Sequence, residues 1–229
     1  MRTLKILGFL LTYPDADHVQ AMDQCMNILT SEKWLSAVTL QKLFQASEIF
    51  KKTDLLDLQE EYVSLFDRTP SLSLHLFEHI HGDSRDRGQA LFDLLKVYEE
   101  ANLFINTEEM PDYLPLFTEY VATLPPRQAS ETMGSVVNIL SSLAERLKNR
   151  DSFYATILEA LIETTGRVPD PQAVESYLKQ SSGKALGFDE MDKEWEEQFA
   201  FDNSAQSTAC PKAEEMLARI PGYNGQERV

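Results

Sequence analysis

Residues 53–66, with the sequence TDLLDLQEEYVSLF, decide the fold class of this chain. Apolar side chains recur there at intervals of three or four positions, which places them on one face of an α-helix. They are Leu55, Leu58, Tyr62, Leu65 and Phe66. Thr53 precedes them and is a candidate N-cap, because its hydroxyl can accept a hydrogen bond from the first turn. The stretch predicts an amphipathic helix with one face in a core.

The same periodicity extends outward in both directions, and the alternation typical of a β-strand is hard to find. We expect further helices over 2–13, 16–30, 34–51, 84–101, 111–124, 129–149, 151–165, 170–180 and 188–200. This pattern predicts an all-α fold, a single-domain helical bundle of roughly nine to ten helices over residues 1–200. Residues 201–229 are rich in polar residues and turn formers, and they predict a loosely ordered C-terminal tail.

Residues 67–83 interrupt the helical pattern. Pro70 and several serines predict a loop there, with at most a short helix at 73–80. Further along the chain, Pro111 has the position that proline favours at the start of a helix. We therefore expect Asp112 at the positive N-terminal end of that helix, where a partner can reach its carboxylate.

The charge balance limits the classes of partner. The 229 residues include 37 acidic and 21 basic ones, so the net charge at pH 7 is −16. A field of this sign repels nucleic acid and anionic membrane surfaces, and it attracts basic peptides. An equally consistent interpretation is that the acidity serves solubility alone. We expect no nucleic-acid partner and no direct membrane insertion.

The cysteines and the first residues indicate the compartment. Cys25 and Cys210 are far apart in sequence and belong to no CxxC pair, which favours free thiols in a reducing environment. The apolar run over 6–11 faintly resembles a signal peptide, but it is short and lacks a small-x-small cleavage site. No stretch approaches the roughly 20 apolar residues that span a bilayer. We therefore expect a cytoplasmic protein.

The motif His75-Leu76-Phe77-Glu78-His79 is the sharpest candidate for catalysis. It matches the H-x-x-E-H pattern of one class of zinc peptidases. Histidines four positions apart share a helix face and can bind one Zn²⁺, and a glutamate beside them can activate water. The pattern is short, however, and the sequence singles out no third ligand. In the structural alternative, these side chains hydrogen-bond nearby backbone and arginines.

Arg85 and Arg87 form a second candidate site, because two guanidiniums near a helix start can bind a phosphate or a carboxylate. Asp83, Asp86 and Glu78 are near enough in sequence to neutralise them. We favour this internal lattice over an anion site. The chain contains neither GxxxxGK[ST] nor GxGxxG, so no motif supports a nucleotide site.

Two acidic stretches contain aromatic residues at helical spacing. The first stretch comprises Glu108, Glu109, Asp112, Tyr113, Leu116, Phe117, Glu119 and Tyr120. The second stretch comprises Asp189, Glu190, Asp192, Glu194, Trp195, Glu196, Glu197 and Phe199. Carboxylates around an aromatic face suit a basic amphipathic helix from a partner protein. The alternative is a solvated outer face above a core stripe.

Several segments together resemble a known family. They are 10–15 (LLTYPD), 65–68 (LFDR), 73–90 (SLHLFEHIHGDSRDRGQA), 109–116 (EMPDYLPL) and 119–120 (EY). These segments are similar to the signatures of the NarJ-type nitrate reductase molybdenum cofactor assembly chaperones, which belong to the wider TorD/DmsD family of redox-enzyme maturation proteins. The resemblance covers most of the chain to about residue 200.

The resemblance implies a TorD-like helical fold and a cytoplasmic chaperone that is not an enzyme. Such proteins bind the N-terminal segment of the catalytic (alpha) subunit of respiratory nitrate reductase. They keep the apo-enzyme open for the molybdenum cofactor and an iron–sulfur cluster before it docks at the membrane. The chain is then expected to bind no cofactor stably, to be a monomer or weak dimer, and to be absent from the final enzyme. A zinc-dependent hydrolase that uses His75, Glu78 and His79 is the alternative.

The resemblance and the first acidic stretch together predict a site for a basic N-terminal peptide of the partner. In the wider family a Pro-Asp-His stretch lies at the peptide-binding groove, and in this chain it is Pro111-Asp112-Tyr113. The expected site residues are Phe66, Asp67, Glu78, His79, Arg85, Arg87, Asp112, Tyr113, Leu116, Glu119 and Tyr120. We expect none of them to be catalytic or to bind a metal.

Overall fold

The computed structural model describes residues 1–81, 86–106 and 109–180. Predictions that concern Arg85, Glu108, Cys210, the second acidic stretch and the tail after residue 200 lie outside these residues. Eleven α-helices make up most of the described part of the chain. They are α1 (Arg2–Phe9), α2 (Ala16–Glu32), α3 (Ala37–Lys52), α4 (Leu55–Tyr62), α5 (Glu78–His81), α6 (Asp86–Glu100), α7 (Leu114–Thr123), α8 (Pro126–Ser135), α9 (Val137–Lys148), α10 (Tyr154–Thr165) and α11 (Pro171–Gln180).

The prediction of an all-α fold is confirmed. α4 continues into a π-helical turn, Val63–Asp67, and a 3₁₀ turn follows at Pro70–Leu72. The one β-type pairing in the described ranges is an isolated bridge between His75 and Tyr113. Across the same ranges, no helix combines the length and the apolar character that crossing a membrane requires.

α10 lies at the centre of the bundle because its side chains are apolar on most sides. Tyr154, Leu158 and Leu161 are wholly buried, and the helix packs against α1, α3, α8 and α9. α1 in turn packs along α7. The core therefore fixes α1 and α7 relative to each other. This packing also sets the position of residues 111–113, which precede α7.

α1 and α7 approach each other most closely at Gly8. A Cβ atom there would overlap the Thr118 hydroxyl and would lie 3.3 Å from the Pro115 carbonyl oxygen. Neither group moves freely, because Thr118 is buried and donates its hydroxyl to that carbonyl at 2.8 Å. The crossing of the two helices therefore requires glycine for its small size.

We expect Gly8→Ala to lower the free energy of unfolding by about 1–3 kcal/mol, because the extra methyl group forces α1 and α7 apart. Gly88 is the matched control. It lies exposed on α6, and a Cβ atom there would meet no atom within 4 Å. Gly88→Ala is expected to stabilise by about 0.5–1 kcal/mol through helix propensity. Urea unfolding of both variants checks this, and two changes of the same sign would contradict it.

Several helix boundaries differ from the prediction; α1, for example, ends at Phe9 and α3 begins at Ala37. α4 begins after Asp54 and not after Thr53, because the Asp54 carboxylate accepts a backbone N–H of the first turn at 2.9 Å. The range 129–149 contains two helices and not one. The backbone leaves the helical conformation at Val136 (φ −105°, ψ 7°), and Pro126 begins α8 earlier, in the first position that proline favours.

The start of α7 also differs. α7 begins at Leu114 and not at Pro111, with Pro115 in its first turn, where a residue without an N–H is tolerated. The residues before it form a tight turn. Asp112 is in this turn and is wholly buried. The expectation of an exposed carboxylate at a helix N-terminus is therefore wrong.

Candidate functional site

Two segments that are distant in sequence lie side by side at the candidate site. Residues 74–76 and 112–114 pair through two backbone hydrogen bonds of 3.0 and 2.9 Å. His75 and Tyr113 face each other across this pairing as an antiparallel bridge, with their ring centroids 5.4 Å apart. The structure thus joins the segments 73–90 and 109–116, on which the family resemblance largely rests.

Asp112 also connects the two segments through its side chain. Its Oδ2 accepts the Phe77 N–H at 3.0 Å, and its Oδ1 lies 3.3 Å from His75 Nδ1. The Asp112 side chain is wholly buried, whereas that of His75 is 25% exposed. The hydrogen bond to Asp112 is the largest cause that raises the pKa of His75. Both carboxylate oxygens are directed at the protein, so Asp112 supports the site from within.

α6 supports the turn before α7 from the other side. The buried Tyr98 donates its hydroxyl to the Pro111 carbonyl at 2.8 Å, and its ring lies 5.0 Å from that of Tyr120. Burial raises the pKa of Tyr98 and raises that of Tyr120 to about 12. Tyr120 is 2% exposed, so its ring belongs to the core and not to an open wall.

The H-x-x-E-H motif does not adopt the geometry of a zinc site. α5 spans only Glu78–His81, so His75 lies before the helix and cannot share a helical face with His79. His79 Nε2 lies 2.8 Å from the Ser73 carbonyl oxygen, to which it must donate because that oxygen only accepts. Within the described ranges, no three His, Cys, Asp or Glu residues are grouped to bind a metal ion.

Glu78 also has a partner in the protein. Its Oε1 accepts a hydrogen bond from Arg87 Nη2 at 2.9 Å, and both side chains are about a quarter to a third exposed (32% and 24%). This contact is one of those that the internal-lattice interpretation predicts. Arg85, the second arginine of that lattice, is outside the described residues.

The histidines predict a pH dependence of stability with two opposite parts. The pKa of His75 is raised in the folded state. Its contribution to stability is therefore complete below its unfolded pKa of about 6.5 and is lost as the pH rises through the folded-state pKa. Burial lowers the pKa of His79. Its contribution is complete above the unfolded pKa and is lost as the pH falls through the lowered value.

His75→Gln isolates the first part. We expect this variant to reduce the free energy of unfolding more at about pH 5.5 than at about pH 8.5, because the charged bond to Asp112 exists only when the imidazole is protonated. Urea unfolding of wild type and variant at both pH values measures the difference. An equal reduction at the two pH values would contradict the bond between His75 and Asp112.

The predicted site residues differ widely in exposure. The exposed ones are Asp67 and Glu119, the half-buried ones are Glu78, Arg87, Tyr113 and Leu116, and the buried ones are Phe66, His79, Asp112 and Tyr120. Glu119 faces α1, with its Oε1 3.9 Å from Lys5 Nζ. Phe66 packs 4.9 Å from the ring of Tyr62. The available surface is thus formed by half-buried and exposed residues around the paired segments.

The contacts that Tyr62 and Tyr13 make near the site were not predicted from the sequence. The Tyr62 hydroxyl donates to the Leu11 carbonyl at 3.0 Å and lies 2.9 Å from the Tyr113 hydroxyl. The ring of Tyr13, 48% exposed, meets that of Tyr62 edge-on at 5.6 Å. The available signal was a tyrosine in an otherwise wholly apolar stripe, because a buried phenol usually needs a hydrogen-bond partner.

Comparison with known proteins identifies the family. The family model described as the nitrate reductase delta subunit matches residues 31–159, which is more than half of the chain. The chain belongs to the nitrate reductase delta subunit family. The matched residues include both paired segments and the tyrosines of α4 and the turn before α7.

Curated relatives extend the match beyond this range. The nitrate reductase molybdenum cofactor assembly chaperone NarJ of Escherichia coli (strain K12) is 37% identical over 86% of this chain and 84% of its own length. The probable chaperone of the same kind named NarW, from the same strain, is 35% identical over 92% of this chain and 87% of its own. The probable NarJ of Bacillus subtilis (strain 168) is 28% identical over 77% of this chain and 95% of its own.

These findings confirm the resemblance to NarJ-type proteins. These relatives are named as assembly chaperones and not as catalysts, which confirms the prediction of a non-enzymatic protein at the level of the family. The zinc hydrolase alternative loses its support, because neither the family nor the positions of His75 and His79 favour it.

Proposed function

We propose that this chain is an assembly chaperone for respiratory nitrate reductase. It binds the N-terminal segment of the catalytic subunit in the cytoplasm and keeps the apo-enzyme open for the molybdenum cofactor and an iron–sulfur cluster before membrane docking. It is not part of the final enzyme. The observation that carries the proposal is the similarity to named molybdenum cofactor assembly chaperones over 86% of the chain.

The proposed peptide site is the surface around the paired segments 74–76 and 112–114. Asp67, Tyr113, Leu116 and Glu119 have exposed area and contact the peptide directly. The buried members of the predicted set support these residues from the protein interior. Asp112, for example, has both oxygens occupied by Phe77 and His75, so it fixes the position of Tyr113 and does not touch the peptide.

The apolar and acidic character of this surface suits one face of a basic amphipathic helix. Leu116 and the ring of Tyr113 offer apolar area, and Asp67 and Glu119 place carboxylates at its margin. Apolar surfaces of this kind bind an amphipathic helix through its apolar side chains, which are spaced by three or four residues. The net charge of −16 adds a long-range attraction for a basic segment.

We expect the affinity for the partner's N-terminal peptide to fall as salt rises, because a Debye length of about 8 Å at physiological ionic strength screens exposed charges. Apolar contacts should preserve part of the affinity at high salt. Fluorescence anisotropy of a labelled peptide across a salt series measures both parts. A constant affinity would indicate that the acidity serves solubility alone.

Metal analysis of nitrate reductase tests the proposed function in cells. Cells that lack this chain are expected to make a catalytic subunit with little molybdenum and a reduced iron content, and the wild-type chain supplied from a plasmid should restore both. Full loading with molybdenum and iron in the absence of the chain would contradict the proposal. A variant that misfolds, such as one with a disrupted core, is the matched negative control for the plasmid.

A further inference from the structure

Four tyrosines from different parts of the fold meet beside the proposed peptide site. Tyr13 follows α1, Tyr62 ends α4, Tyr113 precedes α7 and Tyr154 begins α10. Tyr62 is their centre, with ring centroids 5.6 Å from Tyr13 and 6.0 Å from Tyr154 and a hydroxyl 2.9 Å from that of Tyr113. We call these four residues the tyrosine cluster.

The direction of the hydrogen bonds in the tyrosine cluster follows from counting protons. A phenol has one proton to donate, and a carbonyl oxygen can only accept. The Tyr62 proton is used in the bond to the Leu11 carbonyl at 3.0 Å. Tyr113 must therefore donate its own proton to the Tyr62 oxygen. The half-buried Tyr113 hydroxyl is left with acceptor capacity alone, so the ligand that complements it is a hydrogen-bond donor.

Tyr154 provides an independent sign of an incomplete site. Its side chain is wholly buried, and its hydroxyl has no hydrogen-bond partner within the described part of the chain. The ring lies against Phe66 and Tyr62, and the nearby Glu61 carboxylate and Tyr113 add to the burial that raises its pKa. The Tyr154 ring thus belongs to the tyrosine cluster, and its hydroxyl is buried there. Buried polar groups in native proteins almost always have a partner, so an unpaired one points to a missing group.

Two exposed carboxylates add negative charge near Tyr113. Asp67 and Glu109 are both exposed, and both contribute, after burial, to the raised pKa of about 12 of Tyr113. Neither carboxylate has a Lys or Arg within 4.0 Å in the described ranges. Glu61 bonds only to the Ser152 hydroxyl, at 2.9 Å, among the contacts of the described residues. The local charge is negative, and the titratable group beside it is His75, whose pKa is raised by the hydrogen bond to Asp112 and to a smaller extent by Glu109.

We propose that the tyrosine cluster, with Asp67 and Glu109, is a subsite for one cationic side chain of the partner's N-terminal segment. This subsite rests on the proposed function and specifies the chemistry that it recognises. An arginine fits best, because its guanidinium is planar, has five N–H donors and no acceptor, and stacks on aromatic rings. One N–H meets the acceptor oxygen of Tyr113, and the exposed ring of Tyr13 and the carboxylates stabilise the charge.

A double-mutant cycle tests the subsite. The probe is a labelled synthetic peptide with the N-terminal sequence of the nitrate reductase catalytic subunit. A set of single-replacement peptides accompanies it, and in each of them one arginine is replaced by citrulline or one lysine by norleucine. We expect Tyr113→Phe to weaken binding of the unmodified peptide by about tenfold or more, since a hydrogen bond to a charged group is lost. The loss should disappear for the one peptide in which the bound cation has been replaced.

Two further variants separate the charge and folding contributions. Asp67→Asn combined with Glu109→Gln should weaken binding several-fold and reduce its salt dependence. Glu131→Gln, at an exposed position of α8, should change neither. Thermal unfolding of each variant controls for loss of stability.

The outcomes distinguish the two proposals. If wild type does not bind the unmodified peptide, the proposed function is overturned and the subsite with it. If wild type binds but Tyr113→Phe binds equally well, or loses the same factor for every peptide, the subsite alone is overturned. A tenfold loss that is specific to one cation supports both.

Discussion

Asp112→Ala is expected to lower the free energy of unfolding by about 2–4 kcal/mol, because a buried donor without its acceptor costs about 1–3 kcal/mol and the hydrogen bond to His75 is also lost. The substitution leaves the buried Phe77 N–H without its acceptor and removes the partner that stabilises protonated His75. It also loosens the pairing of 74–76 with 112–114, so peptide binding should fail through loss of the folded site.

Asp67→Ala is the matched control, because it removes the same carboxylate from an exposed position at the edge of the site. It should change the free energy of unfolding by less than about 0.5 kcal/mol. Chemical unfolding of both variants gives the comparison. A small effect of Asp112→Ala on stability together with a large effect on affinity would contradict a supporting role and favour direct peptide contact.

Leu116→Gln is expected to weaken binding of the partner's N-terminal peptide by about 10–100-fold, which corresponds to the roughly 1.5–3 kcal/mol of burying a leucine side chain. Leu116 is half-buried on α7, so part of its surface is free for a peptide. Its replacement by a polar residue of similar length should cost little stability. Anisotropy titration and thermal unfolding of the same variant separate affinity from folding.

Val38→Gln makes the same kind of change elsewhere. Val38 is 66% exposed on α3, outside the proposed site, and its replacement should leave peptide affinity unchanged. If the Leu116 and Val38 variants bind the peptide equally well, the exposed face of α7 is not part of the site.

The fold class followed from the sequence because apolar residues recur with the helical period along most of the chain. The boundaries were less predictable where neighbouring residues offer the same local chemistry. Thr53 and Asp54 can both cap α4, and only the backbone direction decides between them. Gly134 lies two residues before the break at Val136, but a single glycine inside a helical pattern is tolerated and does not by itself predict a break.

The site was predictable in composition but not in arrangement. The motif around Asp112 and Tyr113 was recognisable, yet the carboxylate proved to be buried because residues 112–114 pair with the distant segment 74–76. A pairing between segments that are distant in the chain leaves no periodic pattern of apolar residues in the sequence. For the same reason Tyr62 could be placed in the core from its spacing, while the direction of its hydroxyl towards Leu11 and Tyr113 could not be foreseen.

The central claim is that this chain recognises the N-terminal segment of the nitrate reductase catalytic subunit. The most direct measurement is the affinity of the purified chain for the apo-form of that subunit, with and without its N-terminal segment, by isothermal titration calorimetry. We expect a complex with the intact apo-subunit and a loss of at least about 100-fold in affinity when the segment is removed. Equal affinity for the two forms would contradict the claim.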